Sequence, residues 1–401
     1  MFSLQVCPTY LNTLKNMILI ANCRVYSPQD MGTRDVLVAG RQIVAVKEKI
    51  SLPQGLDVQI INGKGLMMIP GLIDSHVHIA GAGGEGGPAS RTPEMPLSRM
   101  LEAGVTTVVG CLGTDGLTRD LRSVLMKAKG LRAEGVSAYM YTGAYQVPTP
   151  TFFGDVGKDI SMIEEVIGTG EIAVSDHRAS TPTITELIRL AAHSRVGAML
   201  GGKSGIVNIH LGDAENPFQP LYDAVNMSEI KLTQFLPTHC NRNEYIFEDA
   251  KEYGKHGYVD FTTSSYPVFP DEEVKPSKGI VELLKAGVPL GHITMSSDGS
   301  GSLPRFDEKG KLVKLETGGL TTMMDELRDT VKEEGLKPEE ALQPVTSNVA
   351  SILKLNHKGH VAPGMDADLV IVDDDFQIVH MCAMGAMMVK DRKMLRKGTY
   401  E

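Results

Sequence analysis

The chain has 401 residues, with 40 Lys and Arg against 49 Asp and Glu, so its formal net charge is -9. Nucleic-acid-binding proteins usually carry a basic face, and this acidic balance argues against nucleic acid as a partner. Hydrophobic residues make up 42% and charged residues 22% of the chain, which is ordinary for a globular protein and excludes a mainly disordered or collagen-like one. The length favours two to three domains of common size, or one large barrel with an accessory domain.

Cysteine usage and hydropathy predict a cytoplasmic protein. The five cysteines are widely spaced and form neither a C-x-x-C pair nor a compact disulfide framework, as expected in a reducing compartment. The apolar run at 17–21 is too short for a signal peptide, and no segment approaches the roughly 18 apolar residues of a membrane helix. We therefore expect no membrane partner.

Both ends of the chain are predicted to form short β-strands. Strand-like runs occur at 36–39 and 42–46 near the start, and a similar run occurs at 367–372 near the end. Each piece is too small to bury its own faces, so we expect the two ends to form one small β domain. The expected boundaries are 1–68 and 357–401 for this domain and 69–356 for the segment inserted between them.

The inserted segment alternates strand-like runs with amphipathic stretches, which is typical of βα units around a parallel sheet. Strands are predicted at 72–79, 106–111, 137–142, 172–175, 206–211, 235–239, 259–263 and 293–297. Helices are predicted between them at 118–134, 184–195, 244–253 and 278–286. Eight such units match an α/β fold of the (β/α)8 TIM-barrel type, although an open doubly wound sheet is built from the same units.

Residues of metal-ligand type fall at the ends of these strands. His76 and His78 stand two positions apart near the end of the first strand, so their side chains share one face. By itself this pair is equally typical of packed or solvated histidines. Further candidates near later strand ends are Glu171, His210, His239 and Asp298. Because barrel strands end at one mouth, the four histidines and two carboxylates should converge there and could hold two zinc ions.

Two other motifs are set aside. Residues 81–86 satisfy the dinucleotide-binding pattern G-x-G-x-x-G and follow a strand. In a dinucleotide site a helix begins directly after this pattern, and here Pro88 and Pro93 prevent one. The methionine-rich segment 381–388 is more typical of adaptable apolar packing than of soft-metal binding.

Several motifs resemble those of the amidohydrolase superfamily, and within it those of the isoaspartyl (β-aspartyl) dipeptidases. The superfamily motifs lie at 70–78, 296–299 and 363–369, together with the single histidine on each of strands five and six. Segments similar to isoaspartyl dipeptidases lie at 83–88, 114–115, 142–145, 175–178, 237–243 and 297–302. The resemblance covers all but the first fifteen or so residues. It implies metal-dependent hydrolysis of β-aspartyl dipeptides, two divalent metal ions per subunit, with Zn²⁺ expected, and a homo-oligomer.

One position departs from the family pattern. Isoaspartyl dipeptidases commonly bridge their metals with a carboxylated lysine seven residues before the arginine of the S-D-H-R segment, and counting back from Arg178 places Glu171 there. Glutamate already carries a carboxylate, so the charge is retained, but its side chain is shorter. We expect Glu171 to bridge the metals. The alternatives are a weak or absent second metal site and a glutamate at the surface.

The resemblance also implies groups that hold the substrate. Glu85 would receive its α-ammonium, and Arg178 and Arg242 would receive carboxylates through their planar guanidinium forks. A salt bridge to Asp176 is the alternative role for Arg178. Weaker matches to the family's remaining substrate contacts are Gly83, Thr114 and Ser302.

Two residues complete the expected chemistry. After attack of a metal-bridging hydroxide on the β-carbonyl, Tyr145 would donate to the developing oxyanion, and Asp298 would act as general acid and base. Two other functions stay open. One is hydrolysis of cyclic amides by a dihydroorotase-like or hydantoinase-like relative, and the other is a non-catalytic scaffold.

Overall fold

A computed structural model describes residues 17–306 and 312–401; residues 1–16 of the predicted small β domain lie outside it. The strands are β1 Met17–Tyr26, β2 Asp30–Ala39, β3 Gln42–Lys47, β4 Val58–Asn62, β5 Met67–Pro70, β6 Leu72–Val77, β7 Val105–Gly110, β8 Ser137–Thr142, β9 Val166–Val174, β10 Ile206–Leu211, β11 Phe235–Thr238, β12 Val259–Thr262, β13 Ile293–Ser296, β14 Ser302–Phe306, β15 Leu312–Thr317, β16 Leu369–Val372, β17 Ile378–Ala383, β18 Ala386–Lys390 and β19 Lys393–Met394. The α-helices are α1 Leu97–Glu102, α2 Leu121–Glu134, α3 Val156–Met162, α4 Ile184–Gly201, α5 Gln219–Asn226, α6 Glu244–Tyr253, α7 Pro276–Lys285, α8 Thr322–Lys332, α9 Pro338–Ala341 and α10 Ser347–Ile352.

Strands from both ends of the chain form one nine-stranded sheet. Its order is β19-β18-β17-β16-β5-β1-β2-β3, and β4 also pairs with β1. The two ends meet where β16 pairs antiparallel with β5. Ile20 and Val38 from the start of the chain share one apolar core with Leu369 and Ile371 from its end. The expected β-rich portion built from both ends is therefore confirmed, while its boundaries stay a prediction.

The middle of the chain forms a TIM-barrel-like arrangement of parallel strands. Six of them lie in the order β11-β10-β9-β8-β7-β6, and β12 and β13 form a separate parallel pair. Every residue of β6, β7 and β10 is buried, as expected where a parallel sheet is covered on both faces. After β13, the Asp298 amide donates to the His76 carbonyl at 3.1 Å. The half-barrel is confirmed, and the full eightfold count stays a prediction.

Two elements extend beyond their predicted bounds because glycines allow close packing. Strand β9 begins at Val166 rather than at residue 172, so Glu171 lies within the strand and not at its border. A Cβ on Gly168 would lie 2.5 Å from the Ile206 carbonyl oxygen of the neighbouring strand. Helix α4 continues to residue 201, where the prediction ended at 195, and a Cβ on Gly197 would lie 2.3 Å from the Gly157 oxygen. Gly168 and Gly197 therefore allow neighbouring elements to approach closely, and they do not end the strand or the helix in which they lie.

The sequence did not predict the hairpin of β14 and β15, which follows the loop after β13. None of the helices in the two described ranges is long and apolar enough to cross a membrane.

A buried lysine ties the C-terminal segment to the barrel. Lys358 Nζ lies 2.7 Å from an Asp366 oxygen, 2.5 Å from an Asp368 oxygen and 2.7 Å from Ser137 Oγ at the start of β8. The Lys358 side chain is only 3% exposed. A buried ion pair is costly to break on one side, because the remaining charge is then left unpaired.

We therefore expect Lys358→Ala to lower the free energy of unfolding by about 3–5 kcal/mol, measured by urea denaturation. The matched control is Arg392→Ala. Arg392 pairs with Asp373 at 2.7 Å but its side chain is 54% exposed, and removing such a surface pair costs about 0–1 kcal/mol. Equal effects of the two substitutions would contradict the structural role of Lys358.

Candidate active site

The ends of the parallel strands surround a cavity of about 670 Å³. The predicted site residues that line it are His78, Gly83, Glu85, Thr114, Tyr145, Glu171, Arg178, His210, His239, Arg242, Asp298 and Ser302. The remaining predicted residue, His76, is fully buried and contacts Glu171. Residues distant in the sequence therefore meet at one mouth, because parallel barrel strands end on the same side.

One group of side chains surrounds Oε2 of Glu171. His76 Nε2 lies 3.4 Å and His78 Nε2 lies 3.8 Å from this oxygen. Asp298 Oδ1 lies 3.1 Å from His78 Nε2 and 3.8 Å from His76 Nε2. Two imidazoles and two carboxylates are thus gathered from the ends of β6 and β13 around the middle of β9.

A second group surrounds the other oxygen of the same carboxylate. His210 Nδ1 lies 2.7 Å and His239 Nε2 lies 3.4 Å from Glu171 Oε1. The Tyr145 hydroxyl lies 2.7 Å from His210 Nδ1. Glu171 therefore lies between two histidine pairs, with one oxygen facing each pair.

In three of these imidazoles, the ring nitrogen that points away from the Glu171 carboxylate is within hydrogen-bond distance of another side chain. The sequence did not indicate these partners. His76 Nδ1 lies 3.0 Å from Asn208 Oδ1, and His239 Nδ1 lies 2.6 Å from Thr262 Oγ1. His210 Nε2 lies 3.0 Å from Asp176 Oδ2. Such partners orient metal-ligating histidines. The available signal for Asn208 was its position two residues before His210, which places both on one face of β10.

The residues present fit divalent cations. Glu171 Oε2 and Asp298 Oδ1 are buried and have no hydrogen-bond partner within residues 17–306 and 312–401. Burial is the largest cause that lowers the pKa of His239 to about 3, so its imidazole is neutral, the form that binds metal. At His76 and His78 burial is outweighed by the nearby Cys111 and carboxylates, which raise the pKa, so these two imidazoles would release a proton when they bind a metal. Imidazole nitrogens and carboxylate oxygens are ligands that suit zinc. Two of the described clusters could hold an ion, and Glu171 belongs to both.

Both roles considered for Arg178 are compatible with its geometry. Arg178 Nε and Nη2 donate to the two oxygens of Asp176 at 2.9 and 2.8 Å, so the alternative salt bridge is present. Its Nη1 lies 3.3 Å from Thr114 Oγ1 and 3.8 Å from Glu85 Oε1, and all three residues line the cavity. Asp176 therefore orients the guanidinium and leaves one nitrogen near the cavity.

Glu85 has an unsatisfied oxygen beside this guanidinium. Its Oε2 is buried and has no hydrogen-bond partner in the part of the chain that the structure describes. Its loop needs glycine at position 83, which has a φ of 78°. A Cβ there would lie 2.4 Å from the Ser90 carbonyl oxygen. The loop thus presents a carboxylate to the cavity without a cation fully paired to it.

Tyr145 and Arg242 complete the cavity wall on the same side. Burial, followed by the nearby Glu171 carboxylate, raises the pKa of Tyr145 well above its ordinary value of 10.0, so the phenol keeps its proton. Arg242 Nη1 lies 3.9 Å from Asp176 Oδ2. Ser302 begins the unpredicted hairpin, whose Leu303 also lines the cavity.

Comparison with known proteins places these observations in a family. The Amidohydrolase family model matches residues 67–393. The crystal structure of a beta-aspartyl dipeptidase from Fervidobacterium islandicum AW-1 in complex with beta-Asp-Leu dipeptide is 42% identical, with a TM-score of 0.87, over 94% of this chain and 98% of that one.

More distant relatives carry other names. A dihydroorotase from Elusimicrobium minutum is 25% identical over 90% of this chain and 89% of its own length. The dihydropyrimidinase structure from Brevibacillus agri NCHU1002 is 15% identical, with a TM-score of 0.66, over 95% of this chain and 97% of that one. At this identity the likeness shows the fold alone.

Gly113 is a further residue that the sequence analysis missed. An added Cβ would lie 2.8 Å from His78 Cε1 and 3.3 Å from Glu171 Oε2. We expect Gly113→Ala to displace His78 and to weaken metal binding by about 10- to 100-fold, the usual effect of disturbing a ligand's support. Chelator competition followed by elemental analysis measures this change.

The control is Gly130→Ala in the interior of α2, where an added Cβ meets no described atom outside the helix's own backbone within 4 Å. Its metal content should stay at the level of the unmodified protein. If Gly113→Ala also retained that metal affinity, the tight packing around His78 would have no bearing on metal binding.

Proposed function

The chain belongs to the amidohydrolase family, and on that premise we propose that it hydrolyses the β-aspartyl (isoaspartyl) bond of dipeptides. The observation that carries this proposal is the charge pattern of the cavity: Glu85, Arg178 and Arg242 all line it, and Oε2 of Glu85 has no hydrogen-bond partner among the described residues, while its Oε1 lies 3.8 Å from Arg178 Nη1. A β-aspartyl dipeptide is complementary to it, since the substrate has one ammonium and two carboxylates. The 42% identity to a beta-aspartyl dipeptidase supports the same substrate class.

Two divalent metal ions, with zinc expected, would be held by the two groups that share Glu171. His76, His78 and Asp298 would hold one ion, His210 and His239 the other, and Glu171 would contact both. Bound there, such ions supply Lewis acidity that activates water and polarises a carbonyl. The unpartnered oxygens of Glu171 and Asp298 support this assignment, because buried carboxylate oxygens normally have a partner.

Glu85 and the two arginines would orient the substrate. The free oxygen of Glu85 would accept from the α-ammonium, and Nη1 of Arg178 would donate to the adjacent α-carboxylate. Arg242 would bind the C-terminal carboxylate. Charged hydrogen bonds of this kind are stronger than neutral ones and fix the scissile bond in one place. Weaker contacts would come from Gly83, Thr114 and Ser302.

Tyr145 and Asp298 would move and hold protons. The Tyr145 hydroxyl keeps its proton and would donate a hydrogen bond to the carbonyl oxygen as negative charge develops on it. Asp298 would accept a proton from the attacking water and later deliver it to the leaving amine. Its carboxylate has two oxygens, so one could contact the metal while the other takes the proton.

Substrate assays separate this function from its alternatives. We expect turnover of β-Asp-Leu and none of dihydroorotate or hydantoin by the metal-loaded protein. Turnover confined to the cyclic amides would replace the proposal with the activity for which the dihydroorotase relative is named. Less than one tightly bound metal per chain, together with no turnover, would favour the non-catalytic scaffold. Homo-oligomeric assembly and a cytoplasmic location stay predictions.

The bridging role of Glu171 has its own test. We expect Glu171→Ala to lose one metal per chain and most of its turnover of β-Asp-Leu, because both histidine pairs lose their shared anion. Activity of the unmodified enzyme should not depend on added bicarbonate. Glu164→Ala is the control, since this carboxylate is 74% exposed and pairs with Arg132 at the surface. Two metals retained in Glu171→Ala would refute the bridge.

Recognition of the ammonium is tested at Glu85. We expect Glu85→Gln to lower kcat/KM for β-Asp-Leu by about 10- to 100-fold, corresponding to about 1.5–3 kcal/mol for a hydrogen bond to a charged group. Glu272→Gln is the control, because this exposed carboxylate lines the same cavity. Equal losses in the two variants would point to the general electrostatic field and not to a specific contact. N-acetylated β-Asp-Leu should be a poor substrate of the unmodified enzyme.

A further inference from the structure

Cys111, directly after β7, lies against the first histidine pair, and the function proposed above gives it no role. Its Sγ lies 3.6 Å from His76 Nε2 and 3.7 Å from His78 Nδ1. The residue is fully buried. Its remaining polar neighbour is the Val77 carbonyl oxygen at 3.6 Å, and a thiol is a weak donor. The sulfur thus faces His76 Nε2, the nitrogen that also faces Glu171 Oε2, together with the opposite ring nitrogen of His78, and all its hydrogen bonds are weak.

The spacing of the donor atoms is compatible with ligands that share one ion. Sulfur and nitrogen ligands at about 2.3 and 2.0 Å from a zinc ion stand roughly 3–4 Å apart, depending on the angle between them, and Cys111 Sγ lies 3.6 Å from His76 Nε2. Nitrogen and oxygen ligands stand roughly 3–3.5 Å apart, and His76 Nε2 lies 3.4 Å from Glu171 Oε2.

A second, independent observation points to a ligand at the same place. Glu171 Oε2 belongs to a side chain that is only 1% exposed, and it has no hydrogen-bond partner among the residues that the structure describes, although it faces the same nitrogen of His76. Ligand atoms of His76, His78, Cys111 and Glu171 all lie within 4.8 Å of one another. An ion among them would contact both the unpartnered oxygen of Glu171 and the sulfur, whose present hydrogen bonds are weak.

We propose that Cys111 supplies a sulfur ligand to the metal ion held by His76 and His78. This inference rests on the metal-dependent function proposed above and adds a soft ligand to a site otherwise made of nitrogen and oxygen. A sulfur ligand favours zinc or cobalt over magnesium or manganese at that position. Cys111 therefore biases which metal the site selects.

The other described cysteines do not share this setting. Cys240 is also fully buried and follows His239 directly, but its Sγ contacts the Pro237 carbonyl oxygen at 3.3 Å. Cys23 Sγ contacts the Leu66 carbonyl oxygen at 3.2 Å. Cys240 is therefore a matched control for Cys111, since it is equally buried and adjacent in sequence to a histidine of the site, while its recorded side-chain contact is a carbonyl oxygen.

The test uses the full chain loaded with cobalt(II) alone, its metal content fixed by elemental analysis. We expect a near-ultraviolet sulfur-to-cobalt charge-transfer band that is lost in Cys111→Ser and retained in Cys240→Ser. Two bound cobalt ions without the band would overturn the sulfur ligand while leaving the proposed function intact. A band that persists in Cys111→Ser would also overturn it. Failure of the unmodified protein to bind cobalt or zinc would overturn the proposed function itself.

A second measurement does not depend on the folding of a variant. X-ray absorption at the zinc edge of the unmodified, zinc-loaded protein should show a sulfur scatterer at about 2.3 Å. A zinc environment made only of nitrogen and oxygen would contradict the proposal. In competition experiments, Cys111→Ser should lose affinity for zinc and keep its affinity for magnesium, whereas an equal loss for both metals would indicate only a disturbed fold.

Discussion

A single buried carboxylate organises the centre of this protein. Glu171 lies in the middle of β9, is almost completely excluded from solvent, and directs one oxygen to each of two histidine pairs. A buried anion is costly unless it is paired, with an effective penalty of several kcal/mol. Placing it here requires His76, His210 and His239 to arrive from three different strands. The parallel arrangement of strands meets that requirement, because it brings their ends to one mouth.

Asp176 joins the metal-ligand end of the cavity to its arginine end. One of its oxygens lies against His210 Nε2 and also accepts from Arg178 Nη2. Arg242 stands within 3.9 Å of the same oxygen. Three basic groups therefore share one carboxylate, and a change at Asp176 would disturb both a histidine and the arginines. Because all three groups contact Asp176, the orientation of the His210 imidazole depends on the same carboxylate that positions the positively charged arginines.

The sheet built from both chain ends also bears on the site. Strand β5 belongs to that sheet and leads within two residues into β6, which carries His76. The buried Lys358 connects the C-terminal segment to the start of β8. The first histidine pair, His76 and His78, is thus positioned by β6, and β6 directly follows a strand of the nine-stranded sheet. Packing far from the cavity consequently helps to fix the ligands within it.

The sequence by itself determined the βα alternation, the strands from both ends, and the residue types at the strand ends, because these follow from local periodicity and from motifs that are contiguous in the chain. It did not reveal that Glu171 lies inside β9, since glycines in contact with the neighbouring strand look like breakers when read alone. Nor did it identify Asp176, Asn208 and Thr262 beside the imidazoles, or Cys111 and Gly113 against His78. Those contacts join separate strands, so their distances are decided only when the strands pack side by side.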